Sequence, residues 1–129
     1  MLYMIQINVE ADGWDGVMAG YDEDDTKAMF AHMGALNDEL TAAGEMVEAR
    51  GLGGPGLAKT VRASAEGAPR VTDGPSLKGG ILAGYWVVDV ASEERAIEIA
   101  ARASACPGPG GTPCNDPVEI HAIPADPTA

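Results

Sequence analysis

The chain has 129 residues, with 20 Asp and Glu against 8 Lys and Arg, giving a formal net charge of −12 at pH 7. One domain with a core of its own fits that length. The charge argues against nucleic acid and anionic membrane surfaces as partners, since both are bound by surplus Lys and Arg, and no stretch is apolar over the roughly 20 residues that a membrane span needs.

With 17 Gly and 9 Pro, the regular elements must be compact and the loops many. Residues 1–7 carry no basic segment, and Gln6 and Asn8 interrupt the apolar run, so no secretory leader is read and a cytoplasmic location is expected.

Residues 2–9 read as a strand with Tyr3, Ile5, Ile7 and Val9 on one face and Leu2, Met4, Gln6 and Asn8 on the other. The first face suits burial under helices, and Gln6 and Asn8 are candidate pocket groups on the second. Residues 10–21 read as a loop around Gly13, Gly16 and Gly20, with Trp14 as a packing or lid residue. Glu10, Asp12, Asp15, Asp22, Glu23, Asp24 and Asp25 crowd this region. A solvated face plus a helix start explains them better than a carboxylate metal site, because the ligand spacing and glycine of a calcium loop are missing. A helix is expected from Asp24 or Asp25 to Ala43, with acids complementing its dipole and Gly44 ending it. Met29, Met33, Leu36, Leu40 and Ala43 form its inward stripe. His32 lies at the edge of that stripe, where simple packing competes with a role as acid, base or ligand.

Residues 45–50 read as the second strand and 51–56 as a loop. Residues 59–63 and 69–72 read as a hairpin about a turn at 64–68. Arg62 and Arg70 lie on its two strands and either balance carboxylates or hold an anionic substrate. Asp73-Gly74-Pro75 is a strong turn signal. The loop with Gly79-Gly80 lacks the order of a phosphate loop, and Lys78 within it is either solvated or serves a substrate carboxylate.

Residues 84–90 form the best strand, apolar on both faces and therefore central. Ser92 caps a helix running to Ser104, with Ala96, Ile97, Ala100, Ala101 and Ser104 as its packing face and Glu98–Arg102 as a supporting pair. Cys106 and Cys114 flank a Pro- and Gly-rich loop. Free thiols are expected in a reducing compartment, a loop-closing disulfide is compatible with the spacing, and zinc would need ligands beyond His121. Residues 118–123 alternate as the last strand, with Glu119 and His121 on one face, and 124–129 form a flexible tail.

The order β-α-β, hairpin, β-α-β is the split βαβ pattern of a ferredoxin-like α+β domain with an extra hairpin, a single domain over residues 1–123. Helices cover one sheet face. The other carries Met4, either Tyr85 or Trp86, and Glu119 or His121. A homodimer pairing two such faces about a two-fold axis would hide them and leave a cavity between sheet and partner.

Six segments carry a resemblance: Leu40-Thr41-Ala42-Ala43-Gly44, Arg50-Gly51-Leu52, Thr60-Val61-Arg62, Val71-Thr72-Asp73-Gly74-Pro75, Gly84-Tyr85-Trp86-Val87-Val88-Asp89-Val90 and Val118-Glu119-Ile120. In that order, over nearly the whole chain, they resemble the DGPF branch of the YCII-related superfamily. The resemblance implies a ferredoxin-like fold dimerising into an α/β barrel. Ser76 stands where the branch usually has Phe, and His121 where it usually has Arg. The His–Asp pair ascribed to some relatives is not carried over, because His32 lies outside the corresponding register and Asp-Pro-Tyr is absent. Asp73 is the acid that falls on a family motif, where a structural turn role competes with a functional one.

Two classes of function follow. Relatives include a dehydrochlorinase acting on a ring lactone, which implies a cofactor-free, metal-free lyase, isomerase or cyclase that abstracts a proton beside a carbonyl. His32 and His121 are then the acid–base candidates, with Asp73 orienting one of them. Gln6, Arg70, Ser76, Lys78 and Trp86 would contact a small organic substrate, with Arg70 or Lys78 holding an anionic group. The alternative is a non-catalytic ligand-binding or regulatory protein, since DGPF proteins resemble products encoded beside extracytoplasmic-function sigma factors. The acidic surface would then address a basic partner.

Overall fold

The computed structural model describes residues 1–12 and 14–126. Gly13 of the expected 10–21 loop and residues 127–129 of the expected tail lie outside the described residues. In chain order the elements are β1 (Leu2–Val9), α1 (Trp14–Ala19), α2 (Glu23–Ala42), β2 (Met46–Gly51), β3 (Lys59–Arg62), β4 (Arg70–Asp73), β5 (Ile81–Asp89), α3 (Glu93–Ser104) and β6 (Val118–Ile123). Single 3₁₀ turns at Pro55–Leu57 and Pro109–Gly111 tighten two loops. No described helix is long and apolar enough to cross a membrane.

Four strands make an antiparallel sheet in the order β2-β5-β1-β6, and β3-β4 form a separate ribbon. With three helices, this is an α+β arrangement of the ferredoxin-like type. Strand alternation decides which side chains meet the helices. Tyr3 and Ile5 lie opposite Val88 and Trp86 of β5, and Ile5 also lies opposite Ile120 of β6. Leu36 and Leu40 of α2, with Ala96, Ile99, Ala100 and Ala103 of α3, close over them. Ile5, Leu36, Leu40, Val88 and Ile99 are the largest fully buried side chains, each worth about 1.5–3 kcal/mol relative to exposure. By the same alternation Met4, Gln6, Tyr85, Val87, Glu48, Arg50, Glu119 and His121 fall on the opposite face, which α2 and α3 leave bare.

Local chemistry explains the helix bounds. Asp22 accepts the Asp25 N–H at 2.7 Å, and Asp25 accepts the Asp22 N–H at 3.1 Å, a reciprocal cap that starts α2 at Glu23, just before the expected Asp24 or Asp25. Gly44, at φ 71°, terminates it in the left-handed region. Ala43 is the exposed C-cap of α2 and not part of its inward stripe.

Other expectations are corrected by tertiary contacts. Residues 14–19 are a helix despite their glycine, because Trp14 docks on Gly54, where a Cβ would come within 2.8 Å of the indole Nε1. The strand expected at 84–90 begins at Ile81, since Leu82 and Ile81 pair with Asn8 and Val9 across a bulge. On α3 the buried face is Ala96, Ile99, Ala100 and Ala103, while Ile97 is exposed. Glu98 pairs with Arg95, not Arg102, and Arg102 reaches across to Glu39 of α2. Arg95 also grips both carboxylate oxygens of Glu45 at 2.9–3.2 Å, tying α3 to the α2–β2 junction. Asp73 ends β4 and pairs with Lys59, so it belongs to the ribbon before it belongs to the turn.

Candidate functional site

A trough runs between the N-terminal half of α2 and the helix-facing side of the sheet. It consists of two adjoining pockets that share Ile7, Met29, Met33 and Ala83. The larger has a volume of about 590 Å³, the smaller about 330 Å³. Sequence explains the space. Met29 and Met33, one helical turn apart, present flexible side chains from α2. Beneath them β5 presents the small residues Ala83 and Gly84; a Cβ at Gly84 would lie 3.0 Å from the Arg50 carbonyl oxygen, so the close strand approach favours glycine.

The larger pocket is walled by Val9, Trp14, Val17 and Met18, with Tyr21, Cys106 and Cys114 at one side. Among the described residues its charged lining residues are Glu10, Asp12, Asp116 and Glu119, with no Lys, Arg or His; the Glu119 carboxylate itself is turned to the bare sheet face, against His121. In the smaller pocket Asn37 and Trp86 bring polar side chains, while Arg50 and Tyr85 line it from strand positions whose side chains alternate to the bare face. The Tyr21 hydroxyl and Cys114 Sγ are 3.5 Å apart. That hydrogen bond, helped by desolvation, pushes Tyr21 up to about 12, and burial followed by the neighbouring Cys114 pushes Cys106 up to about 11. Both groups therefore stay protonated near neutrality and act as donors rather than bases.

The candidates read from sequence lie in separate places. His32, half-buried, holds the Arg102 carbonyl oxygen at 2.7 Å through Nε2, which must carry the proton. It ties α2 to α3. His121 contacts Glu119 at 2.9 Å on the bare sheet face, with both side chains more than half exposed. Asp73 bonds Lys59 at 2.6 Å on the ribbon. These three are not brought together. Gln6, on the bare face, places Nε2 3.2 Å from Met4 Sδ. Arg70 faces Arg62 directly across the ribbon, and Ser76 and Lys78 are exposed in the following loop. Trp86 is 5% exposed and donates to Asn37 Oδ1 at 2.7 Å. It sits on the helix-facing side and lines the smaller pocket, while Tyr85 is the aromatic of the bare face. Of the eight residues singled out, Trp86 lines the smaller pocket and the rest line neither; Asn8, the other candidate pocket group of β1, lines the larger.

Sequence reasoning missed Val17, Met18 and Tyr21 as pocket residues because their segment read as a loop, and read Trp14 as a packing or lid residue rather than a wall of a pocket. The spacing of three and then one between Trp14, Val17 and Met18 is a helical signal, masked by the glycines around it. Among the described residues no group of three or more His, Cys, Asp or Glu converges as a metal-binding set.

A comparison with curated proteins finds no match. The family model of the YCII-related domain matches residues 1–108, from β1 through α3 and into the loop that leads to β6, and the chain belongs to that family.

Proposed function

We propose that the chain is a single-domain, cytoplasmic, ligand-binding protein of the DGPF branch, homodimeric through its bare sheet face, that takes an apolar neutral or cationic small organic molecule into the trough. The observation that carries this reading is the larger pocket: about 590 Å³, mostly apolar walls, and, among the described residues, no Lys, Arg or His beside the acids Glu10, Asp12 and Asp116. Apolar walls supply affinity, and a few polar groups fix orientation. An anion entering would meet Glu10, Asp12 and Asp116, so the rim favours the opposite charge or none.

The test uses three dyes of similar apolar bulk: Nile red (neutral), thioflavin T (cationic) and anilinonaphthalene sulfonate (anionic). Nile red and thioflavin T are expected to bind and to gain fluorescence. The sulfonate should bind at least about tenfold more weakly than either. Met33→Trp fills the trough and should abolish binding while the far-UV circular dichroism stays unchanged. Equal binding by wild type and Met33→Trp would sink the reading.

A second reading keeps the acid–base chemistry. The 2.9 Å pair His121–Glu119 shares the bare face with Gln6, and a face-to-face dimer would enclose it in the manner of a general-base site for a lyase, isomerase or cyclase. It requires that His121→Gln abolish turnover of a carbonyl substrate while leaving dye binding in the trough intact.

A further inference from the structure

The two cysteines lie where α3 hands over to the segment leading to β6. That segment folds back on itself. The Cys114 N–H donates to the Cys106 carbonyl at 2.9 Å, the Gly108 N–H donates to the Thr112 carbonyl at 2.8 Å, and Pro107 and Pro113 form an antiparallel bridge between them. This register sets Cys106 directly opposite Cys114, with both side chains on one face. Facing residues of a hydrogen-bonded antiparallel pair have Cα atoms about 5.5 Å apart, inside the roughly 4.4–6.8 Å that a disulfide spans. Both thiols are free, Cys106 buried and Cys114 half-buried. Both line the larger pocket, which gives a small molecule access to them. Cys114 Sγ rests over Gly108, where a Cβ would lie 2.9 Å from it. The absence of a side chain at 108 leaves the sulfur room to move.

We propose that Cys106 and Cys114 form a peroxide-reactive dithiol on the pocket wall, in which Cys114 is the attacking thiol and Cys106 the resolving one. The oxidant is hydrogen peroxide or an organic hydroperoxide. The Cys114 sulfur attacks one peroxide oxygen, the O–O bond breaks, and Cys114 becomes a sulfenic acid while the other oxygen leaves as water or alcohol. The Cys106 sulfur then attacks the Cys114 sulfur and the S–O bond breaks. Water leaves, taking the proton that Cys106 gives up. The two thiols together lose two electrons, and the peroxide gains them. Exposure sets the order of attack: Cys114 is the more accessible thiol, and burial holds Cys106 protonated near neutrality, which makes it a poor first nucleophile. This chemistry does not depend on what else the pocket binds.

The experiment treats the full chain with hydrogen peroxide at neutral pH, with free cysteine added as an internal standard. Alkylation under denaturing conditions and intact mass then count the thiols. Both are expected to disappear together without covalent dimers on a non-reducing denaturing gel, and dithiothreitol should restore both. Cys106→Ser should stall as a sulfenic acid on Cys114, trapped by dimedone. In Cys114→Ser the remaining thiol should react at least about tenfold more slowly than wild type. The proposal is overturned if both wild-type thiols are still alkylated once the standard is consumed. It is equally overturned if the disulfide forms between chains, or if Cys114→Ser loses its thiol as fast as the wild type. The wild-type result decides the matter even if a variant fails to fold.

Discussion

Trp86 occupies the centre of the sheet, nearly buried, and its indole N–H has one partner, Asn37 Oδ1 at 2.7 Å. Removing a partner costs more than the bond itself is worth, because a buried donor is left unpaired. Asn37→Ala is therefore expected to lower stability by about 1–3 kcal/mol in urea unfolding, with an unchanged denaturant slope. A loss under about 0.5 kcal/mol would mean that water replaces the amide. Two protonated groups beside the trough govern the alkaline limb. Burial holds the Cys106 thiol up to about 11 from an ordinary 9.0, so the unfolded chain releases that proton first. The resulting stability is whole below about pH 9 and is lost as pH rises through about 11. Tyr21 follows in the window from 10.0 to about 12, for the same reason, through its bond with Cys114. Urea midpoints are expected to fall over these windows, with Cys106→Ala flattening the earlier part and Tyr21→Phe the later. A wild-type midpoint that stays level to pH 11 would contradict both assignments.

Among the elements, α2 depends most on its first turn. The reciprocal cap between Asp22 and Asp25 satisfies two backbone donors, and Asp25 Oδ1 also accepts the Gly110 N–H at 2.9 Å, fastening the loop after α3 to the start of α2. Asp22→Ala should cost about 1 kcal/mol, read as a drop of a few degrees in thermal midpoint, and Asp22→Asn should recover most of it. The acid run that announces this cap was legible in sequence, as were the alternation of β1, β5 and β6 and the glycine that ends α2. What local pattern could not supply was any feature decided by a distant partner. On α3 the buried face is the i, i+3, i+4, i+7 set Ala96, Ile99, Ala100 and Ala103, while Arg95 and Arg102 pair with Glu45 and Glu39, partners remote in sequence. His32 drew notice as a titratable side chain, yet its surroundings are set by a carbonyl 70 residues away. The trough was illegible because its walls come from α1, α2, β1, β2, β5, the end of α3 and the segment leading into β6, and none of these segments shows the space by itself.

The arrangement of the sheet makes one further demand. Its helix-facing side is the core; its other side shows Met4, Tyr85 and Val87 flanked by Gln6, Glu48, Arg50, Glu119 and His121. An apolar centre with a polar rim is the make-up of a protein interface rather than a solvated face. The ribbon offers a rival contact, since Val61 and Val71 face each other on it and are 61% and 57% exposed. The two surfaces are separable. Val87→Glu puts a charge at the centre of the sheet face without touching the core behind it, and Val61→Glu does the same on the ribbon. The wild type is expected to sediment at twice the chain mass, Val87→Glu at the chain mass, and Val61→Glu like the wild type. Because each copy carries −12, association works against long-range repulsion that salt screens. The dimer should therefore tighten as ionic strength rises, the reverse of an interface held by opposite charges. A wild type that stays at the chain mass in both low and high salt would remove the dimer, and with it the enclosed His121–Glu119 site. Loss of the dimer in Val61→Glu alone would move the contact to the ribbon and leave the bare sheet face without an assigned occupant.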